Sequence, residues 1–179
     1  MKLLRHIVGF VVGFTIFALA IPIAIIYVSG IIDTALSLDR FAGSPVRLFF
    51  AVPLLIIGIF YALWSNFFLF DRGRGGPADG FGVAVSPRTE KLVTTGPYRN
   101  TRNPMVFGAF SAYFSIAIYI GSIGGLILLT CFIVLVPLYL KRFEETRLIA
   151  DFGEEYEEYR RRVSMIVPFF LKKVKEKSR

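Results

Sequence analysis

Cysteine, histidine and tryptophan are almost missing from this 179-residue chain, which has one of each. A lone cysteine, Cys131, excludes a disulfide framework and a thiolate metal site. It lies inside an apolar run and reads as a small packed hydrophobe. A lone histidine, His6, stands at the start of another apolar run and reads as interfacial. A metal centre or a Ser-His-Asp arrangement would need partners that the sequence does not offer. Negative charge is also scarce: 13 Asp and Glu face 21 Lys and Arg, for a net charge of +8. Internal repeats and low-complexity tracts are missing too. The glycine-rich stretch RGRGGPADGFG (residues 72–82) lacks a following GK[ST] and a preceding strand, so it is not a phosphate loop.

Apolar residues are what the chain has most of. They make up 55% of it, and the mean hydropathy is +0.62, well outside the soluble range. They are bunched in three runs, at residues 3–32, 46–70 and 104–140. A bilayer core of about 30 Å needs about 20 helical residues, so the first two runs each suit one crossing. The third is too long for one helix and reads Gly121-Ser122-Ile123-Gly124-Gly125 in its middle. That is a turn composition, which predicts two short spans joined as a hairpin. Lys2, Arg5 and Ala18-Leu19-Ala20 give the first run a look of a signal peptide. The run continues past Pro22 to Val28, however, which favours an uncleaved span.

The expected fold is therefore an all-α integral membrane protein with four transmembrane helices, two plus a hairpin, and a cytoplasmic C-terminal amphipathic helix. It forms one membrane domain. Residues 1–70 supply two helices and a short external loop (33–45). Residues 71–179 supply a cytoplasmic loop, the hairpin and a charged helix. With both termini cytoplasmic, 19 of the 21 Lys and Arg fall on that side, as the positive-inside pattern requires. The basic balance then needs no nucleic-acid partner, and the tail from 172 to 179 can hold anionic lipid headgroups.

Chemistry is expected at the charged end. The segment LVTTGPYRNTRNPMVFG (92–108) is a polar, turn-forming hairpin that feeds into an apolar helix. The glycine-rich part of the connection 71–103 reads as a flexible lid or linker. Pro104 suits the first turn of a helix, with Asn103 as its N-cap and Arg99 and Arg102 flanking it. An anion is favoured at such a helix start. The same arginines also read as headgroup anchors. Further on, Glu145 can pair with Lys141 and Arg142 at helical spacing, on a solvated face shared with Glu144. Leu148, Phe152, Tyr156, Tyr159 and Val163 form one apolar stripe. Gly153 is expected to interrupt that helix. Glu157 and Glu158 can pair with Arg161 and Arg162. Residues 163–171 read as an interfacial segment pressed back on the membrane.

These pieces taken together, 92–108, an apolar hairpin, the Glu-Glu pair and FGEEYEEYRRRV (152–163), resemble the isoprenylcysteine carboxyl methyltransferase and phospholipid methyltransferase family of integral membrane enzymes. The resemblance covers residues 91–168. It implies S-adenosylmethionine-dependent methyl transfer at the cytoplasmic mouth, to a lipophilic or lipid-linked acceptor entering from the bilayer. It implies cofactor contacts at Lys91, Leu92, Val93, Tyr98, Asn103, Pro104, Met105 and Val106, and at Glu144 or Glu145, with Glu144 aligning best. Arg99, Arg102, Lys141 and Arg142 are the candidates for substrate contact. Methyl transfer from a sulfonium needs a positioned nucleophile and exclusion of water, so no metal is expected and no catalytic side chain stands out. For an amine or phenol acceptor, Tyr98, Glu145 or water could take the proton.

The family pattern RHPxY reads Arg102-Asn103-Pro104-Met105-Val106 here. Asn103 cannot titrate near neutral pH as His does, and Val106 lacks the ring and hydroxyl of Tyr. Leu140 aligns with an Arg that the isoprenylcysteine enzymes use for substrate carboxylate. Two other readings stay open: a membrane NADPH-dependent reductase of the sterol or enone type, and a catalytically silent protein of the same fold.

Overall fold

The computed structural model describes residues 8–9, 11–73, 79–80, 83–84 and 90–168. The expectations for His6, for most of the glycine-rich stretch and for the basic tail fall outside these residues. The first apolar run forms α1 (Val11–Ala35) and the second forms α2 (Ser44–Asp71). The third divides at its glycines into α3 (Pro104–Ile120) and α4 (Ile123–Tyr139). A π turn, Leu140–Glu144, carries α4 into the charged helix α5 (Glu145–Arg162). Helices α1 and α2 and the continuous α4–α5 rod are long and apolar enough to cross a membrane, and α3 is a shorter apolar helix. The one strand pairing among the described residues is a two-residue antiparallel ladder, Asp79–Gly80 with Val83–Ala84.

The largest helix–helix interface joins α2 to α3. Lipid is as apolar as a leucine side chain, so helices in a bilayer associate by close packing rather than by hydrophobic drive. Glycine permits that approach here. A Cβ on Gly58 would sit 2.8 Å from the Gly108 carbonyl oxygen, and one on Gly108 would sit 2.8 Å from the Gly58 oxygen. Ser115 Oγ adds a 2.8 Å hydrogen bond to the carbonyl of Ala51 across the same interface. Nearer the charged end, Phe107 meets Tyr61 edge-on, with ring centroids 4.8 Å apart.

Helix α1 packs on the hairpin through Ile25, which joins Tyr113, Ala117 and Leu129 in a small core. Residues Thr15–Ala20 of α1 are wound as a π helix, and the Tyr113 hydroxyl donates to the carbonyl of Phe17 within it, at 2.8 Å. The hairpin glycines serve the turn and the packing together. Gly121 adopts φ +73°, a left-handed cap. Gly124 and Gly125 lie against Ile32, Asp33 and Ser29 of α1. The first turn of α4 is capped twice: Gly124 N–H donates to Asp33 Oδ1 at 2.6 Å, and Gly125 N–H to Ser122 Oγ at 2.8 Å.

Cys131 departs from expectation. It is exposed on α4, with Phe132, Ile133, Val134, Leu135 and Leu138 exposed beside it. The second half of α4 thus presents an apolar surface suited to lipid.

Candidate functional site

At the charged end of the bundle, Glu90 N–H donates to the Gly73 carbonyl at 2.9 Å, so the connection leaves and returns at one point. From there residues 91–95 run without regular structure to a 3₁₀ turn, Gly96–Arg99. The expected hairpin at 92–108 is this turn instead. Gly96 has φ +61°, and a Cβ there would overlap the ring of Phe68. The residue is thus fixed both by its backbone and by contact with α2. Val93, Pro97 and Thr101 are buried, so this stretch belongs to the packed structure.

Helix α5 holds this loop. Gly153 interrupts the helix with φ +54° and ψ −130°, conformations open to glycine alone among common residues. The break turns Tyr156 and Tyr159 onto the loop, where both are buried. Tyr159 donates its hydroxyl to the carbonyl of Tyr98 at 2.6 Å. Beyond the helix the chain runs beside residues 100–103. Arg102 N–H donates to Ser164 O at 2.9 Å and Asn103 N–H to Met165 O at 3.1 Å. Thr101 Oγ1 and Asn103 Nδ2 also donate to Met165 O, at 3.1 and 3.0 Å.

One expectation fails here. Asn103 occupies the N-cap position of α3 but makes no side-chain cap; its amide donates to Met165 O instead. Ser164 and Met165 bind the loop through their carbonyls, and the expected interfacial segment, 163–171, lies partly outside the described residues.

The Glu-Glu pair also differs from a solvated face. The π turn adds a residue to the helix and leaves Lys141, Arg142 and Phe143 exposed, while Glu145 is 3% exposed. Glu145 does not take Lys141 and Arg142 as its partners: Oε1 pairs with Arg102, whose side chain is nearly buried, and Oε2 lies 3.6 Å from Arg160. Helical spacing ranked near neighbours, but the break at Gly153 and the loop bring more distant arginines to the buried carboxylate. On the outer face, the expected Glu158–Arg162 pair forms at 3.3 Å.

The predicted site residues thus divide. Leu92, Val93, Tyr98, Asn103, Pro104, Met105, Val106 and Glu144 gather around the loop and the start of α3, and Lys91 lies exposed at its edge. Glu144 is near enough to Tyr98 to act on its phenol: burial first, and then this carboxylate, push the Tyr98 pKa well above the ordinary range. A phenol so raised stays protonated and donates. Glu145 has both oxygens facing arginine. Both features oppose a role as base. Arg102 serves Glu145, whereas Arg99, Lys141 and Arg142 remain exposed. Leu140 is buried.

Of the backbone donors at the start of α3, those of Arg102 and Asn103 are taken and Pro104 has none. Among the described residues, Met105 and Val106 are left as the uncapped donors of the first turn. Sequence reasoning missed Arg160, Ser164 and Met165 as parts of this end. It marked Tyr156 and Tyr159 only as an apolar stripe, and their buried hydroxyls were the available signal for a polar partner.

No curated protein and no solved structure matches the chain. A family model described as phospholipid methyltransferase matches residues 46–155. That match runs from α2 through the loop and the hairpin into α5, over more than half of the sequence, and its apolar helices are those of a multi-pass integral membrane protein. The chain belongs to the phospholipid methyltransferase family of membrane methyltransferases.

Proposed function

We propose that the protein transfers a methyl group from S-adenosylmethionine to a lipophilic acceptor at the membrane face where loop 91–103, the start of α3 and Glu144 converge. The ion pair that joins Arg102 of the loop to Glu145, next to Glu144 and about 40 residues along the chain, is the observation that carries the reading. The residues present fit the cofactor. The Met105 and Val106 N–H groups, at the positive end of α3, suit the methionine carboxylate. The Glu144 carboxylate can accept hydrogen bonds from the ribose hydroxyls. Leu92, Val93 and the Tyr98 ring offer an apolar wall for adenine. When bound, S-adenosylmethionine supplies an electrophilic methyl group on a sulfonium. The chain's own residues hold the reactants in line and exclude water.

A carboxylate or thiolate acceptor needs no base. An amine or phenol would lose its proton to water, since Tyr98 and Glu145 are otherwise engaged. The acceptor enters from the bilayer along the exposed apolar half of α4. Arg99, Lys141 and Arg142 are the exposed cations that meet an anionic substrate or lipid headgroup. With four spans and the basic segments inside, both termini and the site are cytoplasmic.

Calorimetric titration of the detergent-purified protein tests the reading. Saturable S-adenosylmethionine binding, weakened about tenfold (about 1.4 kcal/mol) by Glu144→Ala, is expected. Binding of NADPH in place of S-adenosylmethionine, or of neither, contradicts it.

A further inference from the structure

Gly153, Tyr156, Tyr159 and Arg160 are not among the proposed cofactor contacts, yet Gly153 sets an unusual backbone and the other three reach the loop or the buried carboxylate beside it. Gly153 has open space where a Cβ would lie, so packing does not explain its glycine. The unusual backbone does, and its effect is to aim the following turns at the loop. Those turns meet the loop at two points of opposite chemistry. Tyr159 donates to the Tyr98 carbonyl at 2.6 Å. Arg160 shares with Arg102 the carboxylate of Glu145. Residues 164–165 then accept from 101–103. Beyond their sequence neighbours, the described hydrogen bonds of residues 98–103 end on Glu145, on Tyr156 or on residues 159–165.

Such a loop would otherwise be ordered only at the moment of binding, at a cost in backbone entropy. Ordering it beforehand raises affinity without adding a contact to the ligand. We infer that α5 beyond Gly153 is a clasp on loop 98–103, with Tyr159 and Arg160 as positioning residues of the methyl-donor site. This rests on the function proposed above. Tyr98 is the shared link: its phenol lies near Glu144, and its carbonyl is held by Tyr159.

The test is Tyr159→Phe in the full-length protein, which keeps the ring and removes only the hydroxyl. Three quantities are compared with wild type: amide hydrogen exchange of residues 98–103 without ligand, S-adenosylmethionine affinity, and kcat at saturating S-adenosylmethionine. Exchange should rise and affinity fall, each roughly fivefold to tenfold, with kcat within about twofold. Arg160→Gln should act in the same direction, and Arg160→Lys should restore most of the loss. Unchanged exchange overturns the clasp. Faster exchange with unchanged affinity overturns its role in the site, as does a parallel fall of kcat. If the wild type binds no S-adenosylmethionine, the methyl-donor reading falls. The exchange result then decides separately whether α5 holds the loop.

Discussion

The α2–α3 crossing and the α5–loop contact are both closely packed, and they are made of opposite materials. At the crossing, two glycines face each other and the fit is one of shape. At the charged end, a buried carboxylate, two arginines and a set of carbonyls must each find a partner. The first contact tolerates loss of a polar group and fails on added volume. The second tolerates modest changes of volume and fails when one partner is removed. A membrane bundle can thus be fixed sterically in its core while its polar end stays dependent on a few named groups.

Gly108→Leu breaks the crossing most severely. The added atoms would meet the Gly58 oxygen and the Ala62 nitrogen, both backbone, so no rotamer relieves the clash. A loss of about 4–5 kcal/mol is expected, seen as loss of monodisperse protein in detergent. At the other end, Glu145→Ala leaves Arg102 buried without its partner, and about 3 kcal/mol should go. Combining Arg102→Met with Glu145→Leu should recover most of it. Thermal unfolding checks both, and a double variant no better than the single would contradict the ion-pair account.

Gly153→Ala isolates the backbone term, because nothing lies within reach of the new methyl. It should cost about 1–2 kcal/mol, whereas Gly30→Ala, equally open and with ordinary backbone, should stay within about 0.5 kcal/mol. The smallest effect is that of pH. Burial, reinforced by Glu145 and opposed by Arg102, pushes the Tyr156 pKa from 10.0 up to about 12, and Tyr98 and Tyr159 are also raised. A raised phenol stays neutral in the fold while its unfolded counterpart ionises. Stability is therefore full below pH 10 and falls as pH rises toward 12. Exchange of residues 98–103 should be flat from pH 7 to 9, after correction for the intrinsic rate, and should then accelerate. Tyr156→Phe should blunt that rise.

Much of the bundle was legible because hydropathy and turn composition are local signals. The apolar runs mark the helices, and Gly121 to Gly125 mark the hairpin. Gly153 was legible as a break, since its glycine stands amid good helix formers. The pairing of Gly58 with Gly108 was not, because each reads as an ordinary small residue until its neighbour is known. Helical spacing misassigned Glu145 to Lys141 and Arg142, because the π turn and the Gly153 break change which residues share a face. Asn103 was misassigned as a cap because its competing acceptor, Met165, lies 62 residues away. Tyr98 and Glu144 stand out through the motif that carries the family resemblance. Residues that act by holding others, such as Arg160 and Ser164, do not.

Ultraviolet cross-linking of S-adenosylmethionine to the intact protein, followed by peptide mapping, tests the central claim most directly. Label on residues 91–106 and on the peptide containing Glu144, competed by unlabelled cofactor, is the result this account predicts. Label confined to α1 or α2, or none that unlabelled cofactor competes away, would contradict it.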